Sequence, residues 1–123
     1  MTGLNELGAR CFTIACDRGF HDHERRRGAD GVYTKRGSSL VERMALVGTE
    51  VSEAIEELRK CDDPLVGYVE VDGKPQGFAS ELADIIIRVA EVAAQSGIDL
   101  DTIVAHKVAY NETRSDRHGG KLL

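Results

Sequence analysis

Residues 78–96 read FASELADIIIRVAEVAAQS, and within them Phe78, Leu82, Ile85, Ile86, Val89 and Ala93 recur at steps of three and four. That period marks one apolar face of a helix, and Gly97, directly after it, is a residue helices often use to stop. Upstream, Ser39-Leu-Val-Glu42 has the spacing of a capping box. Behind it Leu40, Met44, Val47, Val51, Ala54, Ile55 and Leu58 form a second stripe, which predicts a helix over 39–60. Leu4, Leu7, Cys11, Ile14 and Ala15 predict an earlier helix over 4–18, running into Gly19. Asp99 stands where a cap belongs, ahead of a fourth stripe that begins Leu100, Ile103, Val104. Between the second and third helices the period changes: Tyr68, Val69 and Val71 lead into Asp72-Gly73, a hairpin turn signal, before Pro75. The expected fold is an all-α four-helix bundle with a short β-hairpin between helices two and three. Residues 17–38 lose the apolar period among Gly19, Gly28, Gly31, Gly37 and the mixed-charge run His23 to Arg27, and are expected to form a long loop. Gly48 interrupts the second helix, either because a backbone or ligand comes close or as a tolerated surface glycine.

The chain has 123 residues, room for one domain spanning 1–123. Its 41% hydrophobic and 30% charged residues exclude a disordered tail, and no run approaches the ~18 apolar residues of a membrane span. Sixteen Lys and Arg against 21 Asp and Glu give a net charge of −5, which argues against a surface built to hold nucleic acid. Arg25 to Arg27 form a patch too short to change that. The start lacks the basic-then-apolar layout of a secretory leader, and three cysteines, Cys11, Cys16 and Cys61, cannot all pair off within one chain. A cytoplasmic location is expected, with Cys11 and Cys16, which lack CxxC spacing, as reduced structural thiols.

The chemistry-bearing residues lie beside the stripes. Glu50 and Glu53 are three apart on the second helix, and Glu81 and Asp84 repeat that spacing on the third. Facing helices would gather four carboxylates, each ionised pair at about 5 Å costing on the order of 3 kcal/mol at an effective dielectric of about 20. A hard divalent cation offsets that repulsion, and Mg²⁺ is the usual one beside phosphates, with Mn²⁺ able to substitute. The same spacing is met by solvated flank residues. On the fourth helix Lys107, Asn111 and Arg114 continue the stripe of Leu100, Ile103 and Val104, so a face that starts apolar ends in groups suited to phosphate. The alternative is that both cationic heads snorkel to water. Glu57 is either a further ligand or solvated, and Arg88, on the Glu81 and Asp84 face, is expected in a salt bridge. His21-Asp22-His23 offers two imidazoles without a third ligand on the loop.

In this order, Glu50-Val-Ser-Glu53, Glu81-Leu-Ala-Asp84, Lys107, Asn111 and Arg114 in KVAYNETR, and His118-Gly-Gly-Lys121 make the chain resemble the MazG-like all-α nucleoside triphosphate pyrophosphohydrolases. The likeness runs from Gly19-Phe20-His21-Asp22 to the end and is nearest to the short, stand-alone members of bacteria and phages. It implies Mg²⁺-dependent hydrolysis of a ribo- or deoxyribonucleoside triphosphate between the α and β phosphates, giving the monophosphate and pyrophosphate. It further implies that Glu50, Glu53, Glu81 and Asp84 hold the metal and that Glu53, with Glu50, acts in catalysis, Glu53 as base. Lys107, Asn111, Arg114 and Lys121 would bind phosphate, and Phe20 and His21 would help form the base pocket. Thr49 stands where many members carry one more Glu, which leaves the number of ions open.

The alternative function is a catalytically silent nucleotide-binding regulator on the same bundle. A di-iron carboxylate bundle is excluded, since no Glu-x-x-His pair is present. The apolar stripes exceed what one small bundle buries, and the resemblance implies a homodimer or dimer of dimers with a nucleoside triphosphate as substrate, while the net charge and the lack of a long apolar run leave neither nucleic acid nor membrane expected as partner.

Overall fold

In the computed structural model, residues 3–19, 25–27, 33–35, 38–60 and 69–114 are described. The element order is α1 (Leu4–Asp17), β1 (Arg25–Arg27), β2 (Tyr33–Lys35), α2 (Ser38–Lys60), β3 (Val69–Val71), β4 (Lys74–Gln76), α3 (Phe78–Ser96) and α4 (Leu100–Thr113). Four helices with an antiparallel hairpin between the second and third give the all-α architecture expected. α3 spans the residues its stripe predicts, and α2 begins one residue ahead of the capping-box position.

Local chemistry accounts for the boundaries. Asp72 and Gly73 both take positive φ, 52° and 78°, the demand of a type I′ turn, and Val71 pairs with Lys74 across it. The chain then enters α3 directly, with Glu81 N–H donating to the Gly77 carbonyl at 3.1 Å. At the other end Gly97 is left-handed, and Ile98 N–H returns to the Ala93 carbonyl at 2.9 Å, which closes a Schellman motif. Asp99 caps α4, accepting from Thr102 N–H at 3.2 Å.

The stretch 17–38 departs from its expectation as a plain loop, since β1 and β2 form a two-stranded antiparallel ladder with Arg26 opposite Thr34. Three-residue strands of polar residues carry no apolar alternation, so hydropathy could not have shown them.

α3 packs against both α1 and α2. On the α1 side the approach is at backbone distance: a Cβ on Gly8 would collide with the Ala90 carbonyl and come within 3.3 Å of the Ala94 methyl. Asp101, in the first turn of α4, serves α1 as a cap. Gly3 offers no side chain there, and Leu4 and Asn5 donate their N–H groups to the Asp101 carboxylate at 2.8 and 3.1 Å. Asn5 answers by donating to Asp99 Oδ1 at 2.7 Å and accepting from Asp101 N–H at 3.1 Å.

On α2 the stripe read as core is buried only along one edge, at Ala54, with Leu40 and Val47 half-buried. Glu50 and Ala54 are buried at 7% and 5% exposure, whereas Ile55 is 46% exposed and Met44, Val51 and Leu58 are also open. At roughly 100° per residue, the packed side is turned by about a quarter turn from the apolar stripe. On α3, Ala90 and Ala93 are buried while Leu82, Ile86 and Val89 stay exposed. On α4, Ile103 and Val104 are likewise uncovered.

Gly8 and Gly48 therefore predict opposite responses. Gly8→Ala forces α1 off α3 and should cost roughly 1–3 kcal/mol, as overpacking does. Gly48 is exposed with nothing within 4 Å, the surface alternative, and Gly48→Ala should gain up to about 1 kcal/mol. Urea denaturation of the two variants checks the signs.

Candidate metal centre

Glu50 and Glu53 sit mid-helix on α2 and Glu81 in the first turn of α3, so the seam of two helices carries the candidate ligands. Each of these three offers an oxygen, and the three oxygens lie within 4.8 Å of one another. Asp84, one turn further along α3, is not in that set, but its charge acts on Glu81. The sequence expectation of a carboxylate cluster thus holds for three residues as a contact set, with the fourth beside it.

The charges are unevenly compensated. Burial would raise the Glu50 carboxyl, but Arg88, through its hydrogen bond and its charge, and hydrogen bonds with Glu53 and Glu81 hold it below the ordinary range. Arg88 Nε donates to Glu50 Oε1 at 2.6 Å, so the salt bridge expected of Arg88 exists and reaches across to the neighbouring helix. Glu81 has no salt bridge among the described residues. Burial first, then the charges of Glu53 and Asp84 and its hydrogen bond and charge interaction with Glu50, push it up to about 7. Burial and the Glu50 charge also raise Asp84, with Arg88 opposing. Glu81 Oε2 is buried with no hydrogen-bond partner among the described residues, an arrangement that costs free energy unless a donor or cation reaches it. Three clustered carboxylates with one orphaned oxygen suit a hard, oxygen-seeking cation.

Two clefts flank the centre. The larger, about 530 Å³, is walled by Cys11, Ile14 and Ala15 of α1, Arg43, Leu46 and Glu50 of α2, and Asp84, Ile87, Arg88 and Glu91 of α3. The other, about 310 Å³, is lined by Thr49, Ser52, Glu53, Glu56, Glu57 and Lys60 of α2 with Glu81. Glu57 faces it, but pairs with Lys60 at 3.3 Å.

Lys107, Asn111 and Arg114 line neither cleft. Lys107 and Asn111 are exposed on α4, and the Lys107 and Arg114 cations lie 5.8 and 5.9 Å from the centre of the Tyr110 ring. Within one copy they are not brought to the carboxylates. Phe20, His21, His23 and Lys121 fall outside the described residues. The larger cleft was not legible beforehand, because its walls come from three helices whose relative rotation no local pattern states. Burial raises the Cys11 thiol at its edge, consistent with a structural rather than a nucleophilic role. No helix among the described residues is long and apolar enough to cross a membrane.

Comparison with protein-family models, curated proteins and solved structures finds no match, so the functional reading rests on the residues themselves.

Glu81 gives a pH test. A carboxyl whose pKa is raised on folding stabilises the fold fully below its unfolded value near 4.5, and that contribution is lost as pH rises through about 7. Glu81→Gln, always neutral, should therefore gain on the wild type between pH 5 and 8 in metal-free buffer. Melting curves of both proteins across that range check the trend.

Proposed function

We propose that this protein is a Mg²⁺-dependent nucleoside triphosphate pyrophosphohydrolase, cleaving between the α and β phosphates to release the monophosphate and pyrophosphate. The observation that carries the proposal is the convergence of Glu50, Glu53 and Glu81, with an orphaned buried oxygen, beside a cleft of small-molecule size. Its supports beyond geometry are the ordered motifs that resemble the MazG-like enzymes.

Glu50, Glu53 and Glu81 would hold the ion, with Asp84 next to them adding negative charge. Bound there, Mg²⁺ supplies neutralisation of the phosphate chain and lowers the pKa of water. Glu53 is the most open of the three carboxylates and borders the acidic cleft, which suits it to accept the proton of an attacking water. The larger cleft offers apolar walls at Ile14, Leu46 and Ile87 for the nucleoside, with Arg43 and Glu91 as polar groups. No protein nucleophile is required. Lys107, Asn111 and Arg114, which one copy does not bring to the carboxylates, are assigned to the departing phosphates across the junction of two copies. The uncovered stripes of α2, α3 and α4 support a homodimer or dimer of dimers.

The test is a pyrophosphate-release screen of common ribo- and deoxyribonucleoside triphosphates with Mg²⁺ and, separately, Mn²⁺. Glu53→Gln should keep the fold and lose well over tenfold in turnover, given the scale of metal-site effects. Near wild-type turnover at saturating Mg²⁺ removes Glu53 from the mechanism, and nucleotide binding without turnover in the wild type assigns the chain to the regulatory alternative.

Lys107→Ala and Arg114→Ala should weaken binding of a non-hydrolysable triphosphate more than that of the monophosphate, because their charges are assigned to the β and γ phosphates. Calorimetric titration with both ligands at fixed salt measures the contrast. Parallel losses would reduce α4 to a structural element.

A further inference from the structure

Arg88 lies four residues after Asp84 on α3, yet its Nε–H is directed at Glu50 on α2, 2.6 Å from Oε1. The Glu50 side chain is 10% exposed and that of Arg88 35%, so the carboxylate is the buried partner. A guanidinium so placed could do either of two opposite things. It could stand in the cation site as a competitor, or it could grip one ligand from outside.

The cleft linings distinguish them. Arg88, Glu50 and Asp84 border the larger cleft, on the side of α1, whereas Glu53 and Glu81 border the smaller, acidic cleft. Arg88 therefore reaches Glu50 from the flank away from the cleft that Glu53 and Glu81 share. A carboxylate is planar, so a directional hydrogen bond at Oε1 limits rotation of the whole group. The orientation of Glu50 toward the other two carboxylates is thereby set in advance.

We propose that Arg88 is a positioning residue of the metal centre, holding Glu50 from the cleft side so that its carboxylate is oriented toward Glu53 and Glu81. The inference rests on the metal-dependent function proposed above. It assigns Arg88 a different part from that of the α4 cations, since it acts on a metal ligand and not on phosphate. Partners of this kind are worth 10–100-fold in metal affinity.

The experiment is titration of the full chain with Mn²⁺ alone, without nucleotide, at fixed pH and salt, read by calorimetry and by the electron spin resonance of free Mn²⁺. Wild type, Glu53→Gln, Arg88→Met and Arg88→Lys are compared after circular dichroism shows each is folded. Arg88→Met should bind Mn²⁺ about 10–100-fold more weakly, and Arg88→Lys should recover part of the loss, because it restores charge without the directional Nε–H. If Arg88→Met does not fold, Arg88→Lys decides: an affinity several-fold below wild type supports positioning, and one equal to wild type overturns it. If wild type binds Mn²⁺, Glu53→Gln loses it and Arg88→Met binds as tightly as wild type or tighter, positioning is overturned while the metal centre stands. Absence of saturable Mn²⁺ binding in wild type, or no loss in Glu53→Gln, overturns the metal centre and this inference together.

Discussion

The seam between α2 and α3 holds carboxylates where a helical bundle ordinarily places aliphatic side chains, and the remaining structure follows from that crowding. Glu50 is buried in the seam and Glu81 is partly buried beside it, with Asp84 one turn away. Charges in such a position survive only if balanced. One balance is Arg88 on Glu50, and the other is the proton that Glu81 retains up to about pH 7. An unpaired Glu50 would cost roughly 3–5 kcal/mol, the usual consequence of leaving a buried charge without its partner. The two helices thus meet through a neutralised polar contact whose free energy depends on what neutralises it.

That contact also explains why so much apolar surface is left outside. For Glu50 to face α3, α2 must be rotated so that Met44, Val51, Ile55 and Leu58 point elsewhere, and Leu82, Ile86 and Val89 are displaced in the same way on α3. The buried hydrophobic residues among those described are four alanines, Ala15, Ala54, Ala90 and Ala93. Small side chains let backbones approach, as at Gly8 and Ala90, but bury little area apiece. Hydrogen bonds between Asn5 and the Asp99 to Asp101 turn then tie the first helix to the last.

The positions of the four helices and of the β3–β4 hairpin were legible because each had a local cause. The left-handed Gly97, the Asp99 cap and the Asp72-Gly73 turn are short-range devices, and the helix period of α3 is unbroken. The pairing of ExxE with ExxD was legible as spacing on two helices, and three of the four carboxylates converge. Rotation about a helix axis is a tertiary quantity, so hydropathy alone put Met44, Val51, Ile55 and Leu58 inside when the buried residues of α2 are Glu50 and Ala54. Gly8 and Asp101 went unread for the same reason: a glycine against a carbonyl 82 residues away, and an aspartate capping a helix 97 residues away in sequence, leave no local trace.

α4 shows how the uncovered surfaces and the proposed chemistry bear on each other. Leu100, Ile103, Val104, Lys107 and Asn111 share one helical face, on which Ile103 and Val104 are bare, whereas Arg114, expected to continue that face, has extended backbone just past the helix end. Whatever surface covers those two side chains must also meet Lys107 and Asn111, since residues three and four apart lie side by side. On the proposed homo-oligomer the cover is a second copy, and the cations of α4 then belong to the junction between copies. On that proposal the carboxylates come from one chain's α2 and α3, and the phosphate-binding role proposed for Lys107 and Asn111 depends on assembly. Burying a charged head at such a junction is unfavourable unless an anion or carboxylate meets it, so a triphosphate bound across the junction would stabilise the contact that created its site.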